Sequence, residues 1–315
     1  KAIFIKGCGN LSFWNGNKER DDELLRKFLG ELCLFSTAII WGSGFAASAM
    51  ALEHYSPFQI LGIRFVIGSI LLSIVFIKKL KWIKWSTIKK GFVLGTFLYI
   101  AFALQTVGLQ FTTPSKNAFL TAVNVVIVPF IGFLLYKYRI DKFEFLGAFL
   151  AMIGVGVMSL QLTGGINIGD FLTLLCAIAF AFQIFYTSLF VQDEDPILLT
   201  LTQMVAAAVL ANLVVLFRGD VPISMNLEGT LSVVYLGVFS TTIAYLLQTF
   251  AQKFTNATKT AIILSTESVW GMVFSILFIK ELVTLRMYIG ALIILLAILI
   301  AETRLSFLTR KSYTN

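Results

Sequence analysis

Residues 261–279, AIILSTESVWGMVFSILFI, hold one ionisable group, Glu267, in an otherwise uncharged stretch. A carboxylate in the middle of a membrane helix costs about 2.5–3.5 kcal/mol on insertion scales. Such a group needs a partner or a wet cavity. Its chemistry there would be reversible: it would bind a proton or a cationic solute group, gaining and losing charge. The alternative is a static hydrogen bond to a neighbouring Ser, Thr or Asn that fixes helix packing. Asn124 lies 143 residues earlier, in FLTAVNVVIVP, at the corresponding place of a second apolar run.

Arg64 interrupts a third run, QILGIRFVIG. It could pair with Glu267 or with an anionic solute; the favoured reading is a structural charge that locks helices together or snorkels to an interface. Helical spacing puts Asn117, Thr121 and Asn124 on one face of their run, at i, i+4 and i+7. Thr260, Glu267 and Trp270 can share one face of theirs. Ser and Thr at such places commonly bridge helices instead.

No covalent chemistry is indicated. HExxH, Walker A, GxSxG with partners and paired carboxylates on one helix are all absent from the sequence, so no catalytic residue is assigned and an enzyme is not expected. Cys8, Cys33 and Cys176 are scattered, and His54 is the sole histidine. Neither a disulfide framework nor a metal site follows from that spacing, and no cofactor is expected. An ATP-driven pump would need a nucleotide-binding domain, and no segment is long enough for one.

The elements that must position these residues are membrane helices. Of 315 residues, 58% are hydrophobic and 13% charged, and mean hydropathy is +0.87. A soluble globule carries roughly 25% charged residues, so this chain could not cover its surface in water. Ten apolar runs fall at about 30–51, 57–77, 91–110, 117–136, 143–161, 169–190, 197–217, 230–250, 259–279 and 285–303. Each approaches the length of about 20 residues that spans the hydrocarbon as helix. Prolines 57, 114, 196 and 222 sit in or beside loops, and Pro129 should kink or loosen the fourth helix. The N-terminus lacks the apolar core and cleavage site of a secretory leader and is expected to be a tail, poorly ordered over its first residues.

With the N-terminus placed in the cytoplasm, twenty of the 25 Lys and Arg fall on that side and four on the other. That asymmetry orients both termini inward and gives the +8 charge a topological cause rather than a nucleic-acid partner. The acidic QDEDP loop at 192–196 dissents. The basic stretch KKLKWIKWSTIKK at 78–90 reads as an inner loop with Trp82 and Trp85 at the interface. GFVLG at 91–95 permits close helix approach, and Glu281 is expected to cap or pair locally.

The chain also repeats itself. FTTPSKNAFLTAVNVV from Phe111 returns as FTNATKTAIILSTESV from Phe254. Over the same shift Gln105 meets Gln248, Thr106 meets Thr249, Lys116 meets Lys259 and Lys137 meets Lys280. The shift carries the third run onto the eighth. Five spans is an odd number, so the second half must enter the membrane inverted, an architecture of secondary transporters.

WGSGF at 41–45, SPFQILGIRF at 56–65, FTTPSKNAFLTAVNVVIVP at 111–129, LGAFLAMIGVGVM at 146–158 and FTNATKTAIILSTESVWGMVFSILFIKEL at 254–282, in this order and spacing, resemble the drug/metabolite transporter superfamily, in its ten-helix EamA branch. The resemblance implies an all-α integral membrane fold of two inverted five-helix repeats at 30–162 and 163–304, flanked by cytoplasmic tails at 1–29 and 305–315. It also implies export or exchange of small metabolites, amino acids or drugs across a prokaryotic plasma membrane, often coupled to ions, with the lipid bilayer and a small solute as partners; the ion that the Glu267 reading adds is a proton. The family's cavity uses helices one, three, four, six, eight and nine. On those helices Trp41, Tyr99, Gln105, Asn124, Gln183, Tyr186, Tyr245, Gln248, Glu267 and Trp270 carry polar or aromatic edges suited to organic solutes. Expected to bind substrate are Trp41, Gln105, Asn124, Gln183, Tyr186, Tyr245, Glu267 and Trp270, with Glu267 as the coupling group. An importer or exchanger of a vitamin or amine, and a non-transporting receptor or scaffold, stay open as alternatives.

Overall fold

The structure is a computed structural model that describes residues 9–137, 141–159, 167–220 and 226–303. The tail expected at 305–315 lies outside the described residues, as do residues 1–8 with Cys8. Among the described residues every regular element is helical. In lipid only a helix satisfies every backbone group within its own segment.

The helices are α1 (Gly9–Leu52), α2 (Pro57–Val75), α3 (Trp85–Leu109), α4 (Pro114–Thr121), α5 (Asn124–Tyr136), α6 (Lys142–Ser159), α7 (Ile168–Phe190), α8 (Pro196–Arg218), α9 (Leu227–Tyr235), α10 (Ala244–Gln252), α11 (Ala257–Ser265), α12 (Glu267–Phe274) and α13 (Leu285–Thr303). A 3₁₀ turn covers Ile77–Trp82, and π-helical segments cover Leu236–Ile243 and Ser275–Ile279. Among the described residues eight stretches are long and apolar enough to cross a membrane: Leu25–Leu52, Pro57–Val75, Trp85–Leu109, Pro114–Tyr136, Ile168–Phe190, Pro196–Arg218, Leu227–Gln252 and Ala257–Ile279. The apolar parts of α6 and α13, Phe145–Met158 and Leu285–Ile300, are shorter. Within the segment expected as a tail, α1 is helical from Gly9 and runs without interruption into the first apolar span, which starts at Leu25.

Glycine sets the closest packing. A Cβ on Gly91 would stand 2.0 Å from Thr202 Oγ1, and one on Gly95 2.5 Å from the Gln203 carbonyl, so the GFVLG face presses α3 onto α8. Gly154 of α6 and Gly290 of α13 face each other in the same way: a Cβ on either would lie within 3.0 Å of the other's carbonyl oxygen.

The basic end of the bundle explains the dissenting acidic loop. Lys79 Nζ lies 2.7 Å from Asp195, Lys90 Nζ lies 3.0 Å from Glu194, and Thr87 donates to Glu194 at 2.6 Å. QDEDP therefore neutralises lysines of the 78–90 stretch and caps α8, where the Asp195 carboxylate accepts from the amides of Ile197 and Leu198. Burial pushes the Glu194 carboxyl up, but hydrogen bonds from Thr87, Lys90 and Ser86 outweigh it and hold the group below its ordinary value. Trp82 and Trp85 are exposed, with Lys81 and Lys89 over their rings. At the other end, Ser56 caps α2 and donates to Asp220 at 2.9 Å. Glu281 does not pair locally as expected: it accepts from Ser115 N and Oγ, 166 residues away, because the short turn after Ile279 delivers it to the open amides of α4.

Candidate functional site: a polar cavity between two broken helices

The fourth and ninth spans break at matching places. α4 ends at Thr121 and α5 begins at Asn124; α11 ends at Ser265 and α12 begins at Glu267. At each break amides tighten to i−3 carbonyls: Val123 to Leu120 and Thr266 to Ile263, both at 3.3 Å, and Val126 to Val123 and Val269 to Thr266, at 3.0 and 3.1 Å. These pairs are separated by the same 143 residues as the sequence repeat. The agreement extends to the caps. Thr113 and Asn256 each accept from the amide three residues on, Lys116 and Lys259. Lys137 and Lys280, at the far ends, are the two described non-glycine residues with positive φ, 59° and 58°. Pro129 was expected to distort the fourth span, yet α5 runs through it and the break lies earlier. The ninth span breaks identically with Met272 in the proline's place, so the break does not need proline.

Asn124 and Glu267, each the first residue after its break, line one cavity. Its wall also carries Trp41 and Ser48 of α1, Arg64 of α2, Gln105 of α3, Asn117 and Thr121 of α4, Gln183 of α7, Ser240 of the π segment and Tyr245 of α10. Of the eight residues expected to bind solute, Trp41, Gln105, Asn124, Gln183, Tyr245 and Glu267 meet here. Tyr186 does not: it stacks among Phe97, Phe182 and Phe190. Trp270 also lies outside, on Phe35 and Phe274, with its Cβ against Gly42. Thr260 bonds Thr255 instead of sharing the Glu267 face, although its repeat counterpart Asn117 reaches the cavity together with Asn124 across the matching break. Centres of water-sized spheres have only about 30 Å³ in the cavity, room for one or two waters.

The polar wall is half satisfied. Gln105 donates to Thr121 at 3.0 Å, and Asn117 donates to Thr173 at 2.8 Å. Asn124 Oδ1, Asn117 Oδ1 and the Tyr245 hydroxyl are buried without partners. Glu267 is 4% exposed, and among the described residues it has neither a hydrogen-bond donor nor a cation within 4.0 Å. The static hydrogen bond weighed for it is therefore not present. Arg64 is fully enclosed: Nε donates to Thr241 at 2.8 Å, one terminal nitrogen donates to Ser240 at 3.2 Å, and the guanidinium lies 4.1 Å from the Phe102 ring centre. The π segment supplies both hydroxyls, and its Ser240 carbonyl accepts from Trp41 Nε1 at 2.9 Å. The wide π turn thus presents side chains and a backbone acceptor together.

Two ion pairs tie the ends. Lys116 lies 3.6 Å from the fully buried Asp170, which also accepts from Thr112. Lys259 pairs with Glu31. Each acid follows a glycine packed on the end of another span: a Cβ on Gly169 would lie 2.5 Å from the Gly108 carbonyl, and one on Gly30 3.5 Å from that of Ala251. Gly108 and Ala251 are themselves 143 apart, as are the two lysines. Asp170 opens α7, and Ser188, about 27 Å along it at 1.5 Å per residue, lines a crevice of about 330 Å³ with Gln192 and Thr255–Thr258, beside Lys259. The ties therefore stand at opposite ends of the bundle. An apolar plug of Leu34, Val125, Val128, Ile184, Phe185 and Leu264 separates crevice from cavity.

Known proteins share this plan. A transporter of Archaeoglobus fulgidus, named only as uncharacterized, is 32% identical over 96% of this chain and 92% of its own. The uncharacterized transporter YyaM of Bacillus subtilis is 25% identical over 86% of this chain and 92% of its own. A crystal structure at 16% identity superposes with a TM-score of 0.68 over 90% of this chain and 99% of its own, a likeness of fold. The model of the EamA-like transporter family matches twice, at residues 28–160 and 167–303, on either side of the point where the repeat divides the sequence. The chain belongs to the EamA-like transporter family.

Proposed function

We propose that this protein is a secondary transporter that exports a small organic solute, of the amino-acid or drug-like kind, across a prokaryotic plasma membrane by alternating access, with both termini cytoplasmic. Ten spans form two inverted five-helix halves, α6 and α13 serving as the short fifth and tenth. The observation that carries the reading is the pair of matching helix breaks that bring Asn124 and an unpartnered Glu267 to one cavity. Broken helices facing a central cavity are a recurrent transporter solution, because irregular backbone at membrane depth is tolerated only where it lines such a space.

In this cycle the two ties break alternately. The Lys116–Asp170 pair closes one end while the crevice beside Lys259 reaches toward the cavity from the other. Glu267 takes up a proton or a cationic group and releases it once the opposite end opens. Trp41, Gln105, Asn124, Gln183 and Tyr245 hold the solute, and Arg64 fixes the second span against the π segment. Purified protein in proteoliposomes, given an imposed proton gradient, should accumulate or expel members of an amino-acid panel. Glu267→Gln should abolish the response to the gradient while leaving solute exchange down its own gradient. If the Gln variant follows the proton gradient like wild type at every pH, the coupling role is wrong.

A further inference from the structure

A column of amides runs from the cavity to the crevice beside the apolar plug. Gln183, on the cavity wall, donates to Gln203 at 3.3 Å and to Thr187 at 3.1 Å, and accepts from Gln248 at 3.4 Å. One turn further along α10, Gln252 donates to Ser188 at 2.8 Å and to the Ile184 carbonyl at 2.9 Å. Gln192 then donates to the Gln252 carbonyl at 3.5 Å, and Ser188 and Gln192 open onto the crevice. From residue 183 to 192 the column covers roughly 13 Å at helical rise.

The column is not a finished packing network. Gln183, Gln203, Gln248 and Gln252 are all fully buried, yet Gln203 Nε2, Gln248 Oε1 and Gln252 Oε1 have no partner. Buried polar groups that only hold helices together are ordinarily satisfied, and a half-satisfied network is worse than an apolar one. The column is also not simply copied from the repeat. Gln248 has its counterpart in Gln105, but the counterpart of Gln252 is Leu109, an apolar residue of the cavity wall.

We propose that these amides are a second solute station, the inner half of the path. Resting on the transport reading above, the station takes a polar head without net charge that both donates and accepts hydrogen bonds, such as hydroxyl or amide groups. It offers one free donor, Gln203 Nε2, and two free acceptors, Gln248 Oε1 and Gln252 Oε1, and no side-chain ion stands among its members. The orphaned atoms gain their partners from the solute when the plug of Ile184, Phe185 and Leu264 withdraws.

The test is thiol accessibility in reconstituted protein whose three cysteines are replaced by alanine. Single variants Gln203→Cys, Gln248→Cys and Gln252→Cys are treated with the neutral reagent hydroxyethyl methanethiosulfonate. Ser188→Cys serves as the open-crevice control and Ile178→Cys, facing lipid, as the background. The column cysteines should react at least an order of magnitude faster than Ile178→Cys. Relative to Ser188→Cys, they should favour the neutral reagent severalfold over its cationic and anionic analogues. Ser48→Cys reports the central cavity. If Ser48→Cys labels and the column stays at background, the station is wrong and the transport reading stands. If neither labels while Ser188→Cys does, both fall. Equal relative rates for charged and neutral reagents would overturn the solute class.

Discussion

The ties make an asymmetric prediction about stability. Asp170 is fully buried, whereas the Lys116 side chain keeps 23% of its surface and the Lys259 and Glu31 side chains keep 48% and 38%. Removing one partner of a buried pair costs about 3–5 kcal/mol, because the survivor is a buried, uncompensated charge. Lys116→Met strands Asp170 in that way. The Thr112 bond and the amides opening α7 remain, and a helix N-terminus returns about 1 kcal/mol to an anion, which leaves a cost of about 2–4 kcal/mol. Asp170→Asn strands Lys116, which can reach water, at about 1 kcal/mol. Glu31→Gln breaks an exposed pair, at about 0.2–1 kcal/mol. Thermal unfolding of detergent-purified variants reads the order, and with about 2–4 °C per kcal/mol Lys116→Met should fall by roughly 4–16 °C. The Lys116→Met/Asp170→Asn double variant should lose less than the sum of the two, since the second change removes the stranded charge. Equal losses for Lys116→Met and Glu31→Gln, or strict additivity in the double variant, would refute the reasoning.

Three further outcomes are expected. Gly91→Val should cost about 1–3 kcal/mol or prevent folding, because Thr202 Oγ1 occupies the space of its Cβ; the midpoint of thermal unfolding checks it. Arg64→Lys should lose about 2 kcal/mol, since an ammonium cannot serve Thr241, Ser240 and the Phe102 face at once, and the same assay reads it. Glu194 is held below its ordinary value by Thr87, Lys90 and Ser86, so its contribution is present above the unfolded-state value and fades as pH falls through the lower folded one. Thr87→Ala should therefore lower stability in the neutral region and flatten the acid limb of a stability-against-pH curve, with the variant and wild-type curves converging as pH falls through the folded-state value.

The apolar runs were readable because lipid demands about twenty apolar residues per crossing, and the repeat was readable because lysine and glutamine are rare enough there to be noticed twice. Asn117, Thr121 and Asn124 were placed together by spacing, and all three line the cavity. The same rule failed for Thr260, which bonds Thr255, and for Trp270, which packs on Phe35 and Phe274, because local spacing does not say which neighbouring helix a face will meet. The π segment had no local signature, because its wide turn answers a tertiary demand, the need of Arg64 for the hydroxyls of Ser240 and Thr241. Gln203 and Gln252 escaped notice for a simpler reason. One amide in an apolar span does not differ in sequence from any other, and only the fold stacks five of them.

Where the halves agree and where they part carries mechanical meaning. They agree in backbone: the N-caps at Thr113 and Asn256, the breaks before Asn124 and Glu267, the left-handed turns at Lys137 and Lys280. Those features set how each span bends, and under the alternating access proposed above they would let two conformations related by exchanging the halves lie close in energy. They part in chemistry, where an amide in one half faces a carboxylic acid in the other. Two acids converging on so small a cavity would repel whenever both were charged, and two amides could not exchange a proton. In the proposed cycle, one acid opposite one amide would leave a single titrating group whose occupancy both halves feel, while Gln252 stands where the other half has Leu109. Matched bending would then supply the motion, and unmatched side chains its direction.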